Sequence, residues 1–268
     1  MTALVTGGAS GIGEAVSRRL AAAGAKVAVV DRDAVAATKV AEEISGLAVA
    51  CDVTSESALS AAFAEAESWG GRLDVVHLNA GSVGGQSGIT DLDVEAYRRV
   101  VGVNVDHVVF GLNAAVPALR RAGGGTIIAT ASLAGLVPLP GDAIYTMTKH
   151  AVVGYVRSAA ATLAPEGIRA MALCPGYADT ALIAHMRDQF GDFPLLTAGD
   201  VADAVDAMLD RGEPGECWYV QPGREPGPYG FRGVPGPRTG EAPPSLSWET
   251  QHQGEHADRG ARPSDEEG

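Results

Sequence analysis

The stretch Ala3-Leu4-Val5-Thr6-Gly7-Gly8-Ala9-Ser10-Gly11-Ile12-Gly13 decides how the rest of the chain is read. A short apolar run gives way to a loop with glycines at 7, 11 and 13, and an alanine-rich helical stretch follows. Each glycine has a physical task in that setting. Gly7 permits a tight turn, and Gly11 lets backbone N–H groups of the Ser10–Ile12 segment approach a pyrophosphate. Gly13 allows the helix to pack closely on the strand. An anion held there sits at the positive end of the helix macrodipole. A glycine loop gains meaning only between a strand and a helix, which is where this one falls.

Moving outward, a second strand over Lys26–Val30 ends in Asp31, eighteen residues past Gly13. A carboxylate at that point accepts hydrogen bonds from both hydroxyls of an adenosine ribose and repels a 2′-phosphate, so it favours NAD over NADP. Arg32 could instead pair with such a phosphate. Asp31 is nearer the strand end, and Ser10 adds no basic group to the loop, so the expected cofactor is NAD.

Further along, short β-branched runs alternate with longer helical stretches. Strands are predicted at Ala3–Thr6, Lys26–Val30, Leu47–Cys51, Val75–Asn79, Gly125–Ala129, Arg169–Cys174 and Cys217–Val220. Helices are predicted near Gly11–Ala23, Ala34–Ile44, Glu56–Trp69, Val94–Arg121, Ile144–Leu163 and Asp200–Asp210. Seven strands joined by six helical connections imply an α/β fold: a single Rossmann-type, doubly wound parallel sheet with helices on both faces, within residues 1–221. Eight of the fifteen prolines lie beyond Gln221. A Pro/Gly-rich extension over 222–239 is expected to be ordered, anchored by Tyr229 and Phe231, and 240–268 to be a disordered tail.

The bulk composition narrows the function. With 33 acidic residues against 20 basic, the formal net charge is −13, which speaks against a nucleic-acid partner. Cys51, Cys174 and Cys217 lie far apart in apolar stretches and read as small buried hydrophobes. His77, His107, His150 and His185 have no ligand spacing, so no metal is expected. The first strand begins at once, leaving no room for a signal peptide. No apolar run reaches the ~18 residues of a membrane span. A cytoplasmic protein without a membrane partner is the expectation.

Six later segments, taken with the glycine loop, resemble the short-chain dehydrogenase/reductase family over about Thr2 to Gly223. They are Cys51-Asp52-Val53, Asn79-Ala80-Gly81, Asn104 within Val103-Asn104-Val105, Ser132, Tyr145-Thr146-Met147-Thr148-Lys149, and Pro175-Gly176 with Thr180. The resemblance implies that Asp52 faces the adenine amino group beside Val53, and that Asn79, Ala80 and Gly81 close the cofactor groove. It implies that Asn104 holds a water for proton relay, and that Pro175, Gly176 and Thr180 contact the nicotinamide.

Residues four apart on a helix share a face, so Tyr145 and Lys149 project together. A free tyrosine, with a pKa near ~10, is a poor base at neutral pH. A Lys149 ammonium and a positive nicotinamide ring would both lower it. Lys149 would also hold the nicotinamide ribose, Ser132 the substrate oxygen, and Tyr145 would exchange the hydroxyl proton while hydride moves to or from the ring. Asn104, Ser132, Tyr145 and Lys149 are therefore the expected catalytic residues.

The chain departs from the family pattern at its end, where Trp218-Tyr219-Val220 runs into Gln221-Pro222-Gly223 instead of an acidic residue and two glycines. The segment after Thr180 is short, and its Ile, Met and Phe predict an amphipathic lid over an apolar pocket. The expected substrate is an apolar secondary alcohol or its ketone. The alternatives are an NADP-dependent biosynthetic reductase and a non-catalytic dinucleotide sensor; sensors of that kind usually lack the tyrosine–lysine pair. The two longest helices carry more small and apolar residues than one sheet face needs, so a homo-oligomer, dimer or tetramer, is expected.

Overall fold

The computed structural model describes residues 1–84 and 89–233. Strands β1 (Thr2–Thr6), β2 (Lys26–Asp31), β3 (Leu47–Ala50), β4 (Val75–Leu78), β5 (Gly125–Thr130), β6 (Ile168–Pro175) and β7 (Cys217–Val220) form a parallel sheet in the order 3-2-1-4-5-6-7. Their runs of Val, Ile, Leu and Ala are buried on both faces, as a sheet sandwiched by helices requires. Helices α1 (Gly11–Ala22), α2 (Ala34–Ile44) and α7 (Ala198–Arg211) cover one face. The other is covered by α3 (Glu56–Gly70), α4 (Val94–Val101), α5 (His107–Ala122) and α6 (Ala143–Leu163). The winding reverses between β1 and β4, and the crevice beyond their carboxyl ends is where such sheets bind ligands.

Three features differ from the sequence reading. An eighth strand, β8 (Gly227–Pro228), lies antiparallel on β7, pairing Trp218 with Pro228 and Tyr219 with Gly227. Gly-Pro carries no strand propensity, but an edge position tolerates a residue that cannot donate. The long helix predicted over Val94–Arg121 is interrupted by a π-helical turn at Gly102–Asp106 that separates α4 from α5. Finally, Val94–Ala122 is long and apolar enough, at a mean hydropathy of 1.3, to match a membrane span by composition. That corrects the expectation that no run would be. Here α5 lies against α3, β4 and β5, with Leu112, Ala115 and Leu119 buried.

By compactness the chain divides into Met1–Tyr229 and Gly230–Gly268. Of the second unit Gly230–Gly233 are described, without regular structure. Tyr229 and Phe231, the expected anchors, are each 39% exposed. Residues 234–239 of the extension and the 240–268 tail lie outside the described residues.

Candidate active site

The glycine loop is built as its chemistry requires. Gly7 has φ +60° and Gly11 φ +53°, both in the left-handed region. A Cβ on Gly13 would lie 2.0 Å from the Gly7 carbonyl oxygen, so only glycine lets α1 start this close to β1. Across the groove, the Thr180 methyl would be 3.2 Å from a Cβ on Gly11. Ser10 stands at the N-cap of α1 in extended conformation, and its side chain makes no capping bond. The first N–H groups of α1, from Gly11 to Gly13, thus face the groove without a side-chain acceptor. A dinucleotide pyrophosphate fits this cradle.

Asp31 ends β2. Its carboxylate accepts from Ala9 N at 3.1 Å and from Asp33 N at 3.1 Å, tying the strand end to the glycine loop. Arg32 is exposed, and its charge acts on Asp52. Asp52 is held low mainly by the Thr54 N–H and hydroxyl, which donate to Oδ1 at 2.9 and 2.8 Å, and Oδ2 receives neither of these bonds. Val53 beside it is buried. The Asn79 amide donates to the carbonyls of Thr6 and Gly7 and so fixes the loop from below. Ala80 packs against Gly7. Gly81 lies opposite both Lys149 Nζ and Asn104 Oδ1. Pro175 ends β6, and Gly176 N donates to the Val220 carbonyl at 2.9 Å. The predicted binding residues outside α6 thus lie at or just beyond the carboxyl ends of β1, β2, β3, β4 and β6.

Ser132, Tyr145 and Lys149 come together at the end of that groove. Tyr145 and Lys149 lie one turn apart on α6, with Lys149 Nζ 5.6 Å from the centroid of the Tyr145 ring. Ser132 follows β5 and caps a 3₁₀ turn at Leu133–Gly135 by accepting from Ala134 N. It also lies close enough to the Tyr145 phenol to act on its pKa. Burial of the phenol raises the Tyr145 pKa, the Ser132 side chain lowers it, and the Asp142 carboxylate raises it again. Burial is the largest of these influences, and Ser132 is the group that favours the phenolate. Lys149 itself is pushed down to about 8 by burial. Its Nζ donates to the Thr130 carbonyl at 2.9 Å.

Asn104 sits in the π turn, fully buried. Its Oδ1 accepts from Ser82 N, and its amide donates to Ser82 O and to Thr148 Oγ1. Both amide protons are thereby given to protein acceptors. Asn104 thus joins the loop after β4 to the helix that carries Tyr145 and Lys149.

Sequence reasoning missed several contributors. Thr130 holds Lys149, and Thr6 Oγ1 accepts from Asn79 N at 2.9 Å. Tyr177, directly after the Pro175-Gly176 pair, acts on the Tyr145 phenol and packs against Phe190 and Phe193, with centroids at 4.7 and 6.5 Å. Asp142 caps α6, and an aspartate three residues before Tyr145 was the available signal. His77 and His107 are wholly buried and structural, bonded to Thr130 and Thr6. Burial depresses them to about 3 and about 4, so both are neutral. Among the described residues no cluster of His, Cys, Asp and Glu could hold a metal. The predicted lid is the 3₁₀ segment Ala181–Phe190.

A dinucleotide groove ending at a tyrosine, a lysine and a serine defines an oxidoreductase that exchanges hydride between an alcohol carbon and a nicotinamide dinucleotide. The family described as short chain dehydrogenase matches residues 1–190. A cyclohexanol dehydrogenase of Acinetobacter sp. (strain SE19) is 38% identical over 191 residues, covering 69% of this chain and 76% of that protein. A cis-4-hydroxycyclohexanecarboxylate dehydrogenase of Sinomonas cyclohexanicum is 39% identical over 189 residues, 69% of this chain and 76% of its own. Among solved structures, the 3-ketoacyl-(acyl-carrier-protein) reductase from Brucella melitensis complexed with NADH is similar at a TM-score of 0.77 and 34% identity. That match covers 83% of this chain and 97% of that one. The chain belongs to the short-chain dehydrogenase/reductase family and interconverts alcohols and carbonyls.

Proposed function

We propose that the protein is an NAD-dependent dehydrogenase of apolar, cyclic secondary alcohols. The observation that carries the substrate class is the ring cluster of Tyr177, Phe190 and Phe193, in which Tyr177 acts on the Tyr145 phenol, and whose ring faces and edges suit a neutral carbocycle; the cavity at Phe190 and Phe193 is lined as well by Asp179, Arg187, Asp188 and Asp192. The relatives named for cyclohexanol and for a hydroxycyclohexanecarboxylate support it. The choice of NAD rests on Asp31, together with the electrostatic engagement of Arg32 by Asp52. The exposed Met147 and Tyr155 of α6 support a homo-oligomer.

When bound, the oxidised nicotinamide accepts hydride at its C4. The residues that would hold the dinucleotide are Gly11, Ile12 and Gly13 at the pyrophosphate, Asp31 at the adenosine ribose, Asp52 at the adenine, and Lys149 and Thr180 at the nicotinamide end. Ser132 Oγ hydrogen-bonds the substrate oxygen, and Tyr145 takes the hydroxyl proton as the alcohol carbon gives up hydride. Reduction of a ketone runs the same transfers backward, with Tyr145 as the acid.

The test is a panel of secondary alcohols offered with NAD or NADP, read by the absorbance of the reduced cofactor. Cyclic alcohols with NAD should give the highest kcat/KM. Preference for open-chain alcohols would overturn the substrate class, and preference for NADP would overturn the role given to Asp31.

A further inference from the structure

The carboxylate of Asp142 makes two bonds that face different parts of the molecule. Oδ1 accepts from Tyr145 N at 2.8 Å, which caps α6 at the turn carrying the tyrosine. Oδ2 accepts from Gly84 N at 3.1 Å, reaching across to the segment that leaves β4. Gly84 is buried there, and a Cβ on it would lie 2.7 and 2.9 Å from the two carboxylate oxygens. Two residues earlier, Ser82 is held through both its N–H and its carbonyl by Asn104. The segment is therefore pinned at 82 from the π turn and at 84 from the catalytic helix.

Helix capping alone does not require this geometry. Any Asn, Ser or Asp would cap α6, and only a group with two free acceptors can cap the helix and hold Gly84 at once. An asparagine has one acceptor oxygen, and its amide would set N–H against the Gly84 N–H. A second bond of this kind, made to a charged acceptor, is stronger than a neutral one.

We propose that Asp142 is a positioning residue for the alcohol–carbonyl reaction: its carboxylate clamps Gly84 to the N-terminus of the catalytic helix, fixing the wall of the substrate cleft against Tyr145. The clamp keeps a negative charge beside the phenol as a consequence. Tyr145 is faced by Asp142 and Lys149 from its own helix, by Cys174 from β6, by Tyr177 from the loop after β6 and by Ser132 from the loop after β5. Of these, Asp142 is the anion, and it acts to raise the pKa of the tyrosine. The inference rests on Tyr145 as the acid/base, so it is tested beside a control for that role.

Two variants break the clamp by different means. Asp142→Asn keeps the cap and removes both the charge and the acceptor for Gly84. Gly84→Ala keeps the charge and the cap, and pushes the segment off the carboxylate. Both should raise KM for the alcohol about tenfold, the scale of one lost hydrogen bond to a charged group, while kcat falls by less. In the oxidation direction, the acid limb of kcat/KM should move to lower pH in Asp142→Asn and stay in place in Gly84→Ala. Retention of KM within about twofold in either variant, or an unmoved acid limb in Asp142→Asn, overturns the proposal. Tyr145→Phe, run alongside, reports on the acid/base role alone: an inactive Tyr145→Phe with wild-type-like clamp variants discards the clamp and leaves that role standing.

Discussion

Lys149 Nζ donates to the backbone carbonyl of Thr130 at 2.9 Å, and among the described residues no carboxylate pairs with it in this buried position. The lysine is held by a strand end rather than by an ion pair. The fold bears the cost of burying its charge, and the reaction uses the group.

That arrangement has a measurable consequence for stability. The folded-state pKa of Lys149 is about 8 against an ordinary 10.5. Between those values the unfolded chain binds more protons, so this group makes stability rise with pH across that window. Below about 8 its full penalty stands. Lys149→Met removes the penalty and leaves the Thr130 carbonyl without its donor. The expected net gain near pH 7 is on the order of 1 kcal/mol, with turnover lost. Thermal melts from pH 7 to 10 should show the variant's advantage shrinking as pH rises. An advantage that grows with pH would show that Lys149 is not depressed.

Tyr145→Phe removes the phenol hydroxyl, on whose pKa Ser132 acts, and keeps the ring whose centroid lies 5.6 Å from Lys149 Nζ. Turnover should fall by at least about a thousandfold, within the range of general acid–base contributions, while NAD affinity changes little. Residual activity of a few per cent would remove Tyr145 from its role.

Asp31→Ala should weaken NAD and narrow the gap to NADP. The variant loses the acceptor for the ribose hydroxyls and the repulsion toward a 2′-phosphate. It also frees Ala9 N, which Asp31 now holds at 3.1 Å, so part of the loss will come from a looser glycine loop. Titration of both dinucleotides into wild type and variant separates the two effects, because loop loosening weakens both alike.

Much of this was legible in the sequence, for identifiable reasons. The glycine loop, Asp31 and the Tyr145–Lys149 pair are local signals: each depends on one turn, one strand end or one helical repeat, and spacing reports them directly. What escaped are contacts made across the fold. Thr130 holds Lys149 from nineteen residues away, and Gly84 meets Asp142 from 58 away. No periodicity encodes such pairs. The π turn at Gly102–Asp106 escaped for a related reason, since one wider turn leaves a helical pattern almost unchanged. The short strand β8 has the composition of a loop and is a strand by virtue of its partner, β7.

A homo-oligomer is the expected state in solution. Helix α6 packs on β6 through Val152, Val156 and Ala160, yet it also exposes Met147 (45%) and Tyr155 (36%). Apolar side chains on an outward helix face are natural material for a two-fold contact. Light scattering at micromolar concentration should give a dimer or tetramer mass, and Tyr155→Glu should lower it. A monomeric mass for wild type would dismiss this.

The last prediction concerns the chain just past β7. Strand β8 covers the outer edge of β7: Tyr229 N donates to the Cys217 carbonyl at 2.7 Å, and Gly227 and Pro228 pair with Tyr219 and Trp218. Tyr229 and Arg224 also face Leu133, Leu136 and Val137, the residues that follow Ser132, across a cavity of about 320 Å³. A chain ending at Gly223 would leave the β7 edge unpaired and open that cavity on one side. An unpaired edge invites association with other strands, and each lost backbone bond costs about 1 kcal/mol. A chain ending at Gly233 keeps all of these contacts. The chain ending at Gly233 should therefore melt within a degree or so of the full chain, and the one ending at Gly223 about 3–6 °C lower, with a greater tendency to aggregate. Because the cavity adjoins the Ser132 turn, the shorter chain should also show a raised KM for the alcohol. If the two truncations melt together and bind substrate alike, β8 supports neither the edge nor the pocket.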